Sequence, residues 1–195
     1  MSDVRQLYTR VRDAHPGVKV ILLGHSLGSL IALTYGLRDS SGLTGMITSG
    51  TAIRDALNVP DWLRSASGLF SKVLPALTLG NGVKTEHLSH DPKVIAAYDA
   101  DPLVHHVGSV RLDAEVGLVR AELLRRAPEW KLPLLMLHGG DDLICLVSGA
   151  QSFYDKTPHA LVEYRQYVGL YHEIHNEIGK ELVFKDVETW LTGRV

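Results

Sequence analysis

The chain has 195 residues, of which 45% are hydrophobic and 22% charged, with a formal net charge of −2. That length suits one domain, with or without an insertion, and the near-neutral balance argues against nucleic acid or an anionic membrane as the main partner. A single cysteine, Cys145, excludes a disulfide framework and every multi-cysteine metal pattern, and no apolar run reaches the roughly 20 residues of a membrane span.

Residues 1–12 carry charge throughout and lack the apolar core of a signal peptide, so the expectation is a soluble, cytoplasmic protein. Val4, Leu7, Tyr8 and Val11 form one apolar helical face, and His15-Pro16-Gly17 ends that helix. Residues 18–23, Lys19 apart, are an aliphatic run of the kind buried on both faces of a parallel sheet. A tight turn over 24–28 leads to a helix over 30–37 and a second strand over 43–48.

From about 51 to 128 the reading is an all-helical insertion. Leu63, Ala66, Leu69, Phe70, Val73, Leu74 and Leu77 recur at helical spacing, Asp91-Pro92 caps a further helix through Ala97, and residues 112–126 supply another. The sheet pattern resumes over 134–137 and again over 161–168, and a helix striped by Ile178, Leu182, Val187, Trp190 and Leu191 closes the chain. Strands alternating with helices predict an α/β fold with a mostly parallel sheet, a core of residues 1–50 and 129–195, and a cap of 51–128.

Gly24-His25-Ser26-Leu27-Gly28 has the G-x-S-x-G form and lies directly between a buried strand and a helix. A serine on such a sharp turn takes a strained backbone and lifts its hydroxyl above the sheet, while the Leu27 N–H points to where an oxyanion would form. Both flanking glycines are expected to avoid side-chain clashes there. A serine nucleophile needs a base, and the base needs an orienting acid. The acid falls on Asp141 or Asp142, after the 134–137 strand, and the base on His172 or His175, after the 161–168 strand. All three groups therefore emerge at the same edge of the sheet. His172 and His175 are three residues apart, not the four that face one metal, so no metal is expected.

Gly24-His25-Ser26-Leu27-Gly28-Ser29, the Asp141-Asp142 turn with Leu143-Ile144-Cys145, the Tyr171-His172-Glu173-Ile174-His175-Asn176-Glu177 block and Asp101-Pro102-Leu103-Val104 carry a resemblance. Together they resemble the monoacylglycerol lipase and lysophospholipase branch (serine aminopeptidase S33-like) of the α/β-hydrolases, over essentially the whole chain. The resemblance implies Ser26 as nucleophile, Asp142 as acid, His172 as base and Leu27 as oxyanion donor, with no cofactor. It makes the insertion a lipid-facing cap or lid. His25, Trp62, Leu63, Phe70, Leu74 and Cys145 are the candidate substrate-binding residues, although periodicity alone also allows the apolar ones to pack within the cap. Cys145 reads as a reactive thiol near the pocket or as a small packing residue. His87, His90, His105 and His106 read as solvated cap residues.

Members of that branch carry further strands before the helix that opens this chain, and a His-Gly loop after one of them supplies a second oxyanion N–H. Nothing before Val18 encodes those strands, so the expected fold is a truncated, minimal α/β-hydrolase. The expected activity is hydrolysis of single-chain lipid esters, with transient contact at a lipid surface. The alternatives are an impaired remnant serving as a binding or assembly module, or an acyltransferase using the same triad. The strand over Val18 to Leu23 would be an open edge, which predicts a homo-oligomer joined through it.

Overall fold

Every residue of strand β5 (Leu134–Gly139) is buried. The computed structural model, which describes residues 2–56 and 73–194, builds a four-stranded sheet around it. β5 lies between β2 (Leu43–Ser49) and β6 (Val162–Tyr167), and β1 (Val20–His25) flanks β2 at the sheet's edge. All three pairings are parallel, with Ser49 opposite both His25 and Leu137, and His138 opposite Gln166. Parallel strands place every carboxyl end on one side, where ligands of such sheets bind.

Helices cover the sheet on two faces. On one face α2 (Leu27–Arg38), the end of α4 (Val110–Arg126) and α5 (Val147–Tyr154) bury Leu30, Leu33, Leu123 and Phe153 against Met46, Leu134 and Met136. On the other, α6 (Glu181–Thr192) buries Val183 and Trp190 against Ile47, Leu135 and Leu137. The alternation of side chains along β2 and β5 thus feeds two cores. Helix α1 (Ser2–Ala14) buries only Tyr8 of its apolar stripe, and leaves Leu7 and Val11 exposed.

Two sequence expectations change here. The first strand begins at Val20, and it is not buried on both faces: Leu23 is 59% exposed, and β1 has one strand partner among the described residues. The segment between β2 and β5 is also not wholly helical. It holds α3 (Pro92–Ala100), capped by the Asp91 side chain as its sequence predicts, but also β3 (Thr78–Gly80) paired antiparallel with β4 (Val107–Ser109).

Candidate active site

Three loops meet above the carboxyl edge of the sheet. The first joins β1 to α2. A Cβ on Gly24 would lie 2.4 Å from the Gly28 carbonyl oxygen, so a side chain there would force strand and helix apart. Gly28 has no such duty. Its missing Cβ would point into open space, which corrects the expectation that both glycines relieve a clash. Between them Ser26 has φ 52° and ψ −123°, the only positive φ of a non-glycine among the described residues. A backbone of this kind costs on the order of 1–3 kcal/mol and persists only where its surroundings hold it.

The surroundings are specific. Ser26 N–H donates to the Ser49 carbonyl at 2.9 Å. The Ser29 N–H and hydroxyl both donate to the Ser26 carbonyl, at 2.9 and 2.5 Å, and the Ser29 hydroxyl accepts Ala52 N–H at 3.0 Å. Ser26 stands at the head of α2 yet its side chain caps nothing, which leaves the hydroxyl for chemistry. Leu27 is the first helical residue, and an N–H there has no intrahelical acceptor.

The second loop follows β5 and separates two adjacent carboxylates. Asp141 is exposed; Asp142 is buried. Asp142 Oδ1 accepts the N–H groups of Ile144 at 2.8 Å and Cys145 at 2.9 Å. Its Oδ2 accepts from His172 Nδ1 at 2.7 Å and lies 3.3 Å from His138 Nε2. Burial alone would raise the Asp142 pKa, but hydrogen bonds from His138, His172 and the Cys145 backbone outweigh it and hold the carboxyl well below its ordinary range.

The third loop follows β6 and carries His172, which is buried. Its backbone is tied to the segment before α3: His172 N–H donates to the His87 carbonyl at 3.5 Å and Glu173 N–H to the Leu88 carbonyl at 2.8 Å. Gly50, at φ 54°, makes room for the ring, since a Cβ there would sit 2.8 Å from His172 Cε1. His25 lies against both His172 and His175, with ring centroids 4.7 and 4.9 Å away, and its Nδ1 meets Ser49 Oγ at 3.2 Å. Burial, aided by those two neighbouring imidazoles, pushes the His25 pKa down to about 3.

The structure therefore joins Asp142 to His172, and leaves Asp141 in solvent and His175 against His25. No side-chain hydrogen bond joins Ser26 to His172 among the described residues; the Cys145 thiol is the neighbour of the serine. Links between nucleophile and base are often long before substrate binds. Ser26 and Leu27 help to line a cavity of about 810 Å³. Leu30, Leu77, Leu79, Val110 and Ile144 give it apolar walls, while Lys84, Asp113 and the Asp55–Arg120 ion pair add charge.

Of the candidate substrate-binding residues, Cys145 lines this cavity. Burial and the nearby Asp142 charge push its thiol up to about 12, so it is a wall and not a reactive thiolate. His25 lines a second cavity instead, of about 230 Å³, together with Leu23, Val183 and Phe184. Leu74 is exposed and outside the lining of both. Trp62, Leu63 and Phe70 lie outside the described residues. Among the described residues no three His, Cys, Asp or Glu side chains converge on a point that would hold a metal.

Two residues to which the sequence analysis assigns no role stand out. Glu177 is buried and accepts Tyr171 N–H at 2.7 Å, His90 N–H at 2.9 Å and the Ser89 hydroxyl at 3.2 Å, with His90 Nδ1 at 2.8 Å. It clamps the segment before α3 onto the His172 loop. His90 is exposed, as expected of a solvated residue, but it is also paired with Glu177 and stacked on Tyr171; His87 lines the large cavity. His138 is the second, fully buried beneath Asp142.

Residues 1–179 match the serine aminopeptidase S33 family of hydrolases. The chain belongs to that family. Over its whole length this S33 hydrolase is 34% identical to the monoacylglycerol lipase of Mycolicibacterium smegmatis, spanning 70% of that protein. It is 29% identical to the monoglyceride lipase of Rattus norvegicus, of which it spans 65%. It superposes on the crystal structure of Paleococcus ferrophilus monoacylglycerol lipase with a TM-score of 0.89 at 25% identity, covering all of this chain and 76% of that one. The S33 chain is accordingly a member of the monoacylglycerol lipase-like branch of the α/β-hydrolases, and it spans roughly two thirds to three quarters of the length of these three relatives.

Proposed function

We propose that the chain hydrolyses carboxylic esters of single-chain lipids, monoacylglycerols or lysophospholipids, through an acyl-enzyme on Ser26. The observation that carries this reading is the buried Asp142–His172 pair, joined at 2.7 Å and set at the sheet edge beside the strained Ser26 turn. Ser26 Oγ attacks the ester carbonyl carbon and its proton passes to His172 Nε2. The resulting oxyanion accepts the Leu27 N–H, and Asp142 holds the ring tautomer and balances the imidazolium. The ester C–O bond then breaks, and His172 returns the proton to the leaving alcohol. Water, deprotonated by His172, attacks the acyl carbon; the bond to Ser26 Oγ breaks, His172 returns the proton to Oγ, and the carboxylic acid leaves. Substrate-binding falls to the apolar walls of the 810 Å³ cavity, a size ordinary for ligand pockets.

The relatives, monoacylglycerol lipases among them, support the substrate class, and a further one, from Bacillus subtilis, is a phospholipase 30% identical over 85% of this chain. A lone buried cysteine fits a reducing, cytoplasmic setting. Among the described residues no helix is long and apolar enough to cross a membrane, so contact with lipid would be at its surface. Fatty-acid release from monoacylglycerol and lysophospholipid, followed by titration, tests the reading. Release should be abolished by Ser26→Ala, whereas equal release from that variant would overturn it. A parent protein with no turnover would favour an assembly role, and ester formation with an added alcohol would identify an acyltransferase.

A further inference from the structure

The end of β5 holds a buried side chain for which the reaction as described has no use. His138 lies in the strand layer directly beneath the acid, and its two ring nitrogens face partners of opposite kind. Nδ1 faces Thr51 N–H at 3.2 Å, which can only donate. Nε2 faces the Cys145 carbonyl at 2.8 Å, which can only accept, and Asp142 Oδ2 at 3.3 Å. Thr51 N–H therefore requires a bare Nδ1, and the Cys145 carbonyl requires a proton on Nε2. These partners fix one neutral tautomer whose Nε2–H is directed at the Cys145 carbonyl, with Asp142 Oδ2 3.3 Å from the same nitrogen.

We propose that His138 is a positioning residue for the acid: its Nε2–H holds Asp142 Oδ2 in line with His172 Nδ1. This rests on the Ser26–His172–Asp142 reading given above. Asp142 Oδ1 is already fixed by two backbone N–H groups, at 2.8 and 2.9 Å. Oδ2 would otherwise depend on His172 alone, the group that must gain and lose a proton during turnover. A second donor outside the proton relay keeps the carboxylate in place while the His172 imidazole changes charge. His138, the last residue but one of β5, also joins two loops: Thr51 follows β2, and Cys145 follows the acid. It thereby sets the height of the acid relative to the turn that begins at Ser49, whose carbonyl holds Ser26.

Two amides separate this role from simple packing. In His138→Gln the side-chain nitrogen reaches the position of Nε2 and keeps a donor toward Asp142. In His138→Asn the side-chain oxygen takes the place of Nδ1 and keeps the Thr51 link but loses that donor. With a soluble short-chain ester, and turnover counted per serine titrated by a fluorophosphonate, His138→Asn should lower kcat ~10- to 100-fold with KM unchanged. His138→Gln should stay within about threefold of the parent, and the strongly deshielded proton between His172 Nδ1 and Asp142 should survive in Gln but not in Asn. Parent-like kcat in His138→Asn, or equal losses in both variants, would overturn the proposal. Nitrogen NMR of the parent provides a check that needs no variant: a proton on His138 Nδ1, or a ring that titrates with pH, would equally overturn it. Absence of turnover in the parent would instead count against the hydrolase reading, and the tautomer measurement is independent of that outcome.

Discussion

Asp141 and Asp142 are the same side chain one residue apart, and their surroundings differ in every respect. Asp141 faces water, while Asp142 receives two backbone N–H groups and lies between two imidazoles. Asp142→Asn should reduce kcat by ~1,000- to 10,000-fold, because an amide donates where His172 Nδ1–H needs an acceptor and so favours the wrong tautomer. Asp141→Asn should leave kcat within about twofold of the parent, as exposed substitutions do. Steady-state kinetics of both variants checks the pair. Gly50 supplies a steric counterpart. Alanine there would meet His172 Cε1 at 2.8 Å in a backbone region that side chains rarely adopt. Gly50→Ala should lose at least ~10-fold in kcat, and an unaltered kcat would show that the base is not held where the structure has it.

At the scale of elements, the segment before α3 and the loop after β6 behave as one piece because Glu177 joins them. Its carboxylate takes two backbone N–H groups and a hydroxyl, contributed by both segments. Burial alone would raise its pKa, but those backbone bonds and His90 outweigh it and keep the group charged. Glu177→Leu leaves the buried donors unpaired and should cost about 2 kcal/mol, measurable by urea denaturation. None of this was legible in the chain. The Ser26 turn, the parallel strands and the positions of Asp142 and His172 after two of them are local patterns, and these were legible in the sequence. Glu177 and His138 look like ordinary polar residues until distant segments fold over them. The β3–β4 pair was missed for a related reason: each strand has three residues and contains a glycine, so no alternating run marks it. Conversely, the α1 stripe reads as a buried face, yet Leu7 is 59% exposed, because periodicity identifies a helix but not what covers it.

For the molecule as a whole, two features govern stability and assembly. His25 is held neutral by burial, with a pKa lowered to about 3, and His175 is lowered in the same direction. Unfolded, such imidazoles take up a proton below about 6.5, while the folded protein does not. Their contribution is therefore full above that pH and is lost as pH falls toward the folded value, at up to ~1.4 kcal/mol per pH unit for His25. His25→Gln should flatten the fall of Tm between about pH 6.5 and 4.5, and an unchanged slope would contradict this assignment. The second feature is β1, whose outer edge pairs with nothing among the described residues; its Leu23 is 59% exposed and Val18, just before it, 63%. An open apolar edge recruits another strand, so the 195-residue chain should self-associate at micromolar concentration. A single species of 21.4 kDa by light scattering would contradict that.

The proposed reaction depends on one nucleophile, which can be caught directly. A fluorophosphonate probe, peptide digestion and mass spectrometry should place one covalent adduct per chain on Ser26, with none in Ser26→Ala and strongly slowed labelling in Asp142→Asn. Labelling at another serine, or no labelling of a folded parent protein, would contradict the account.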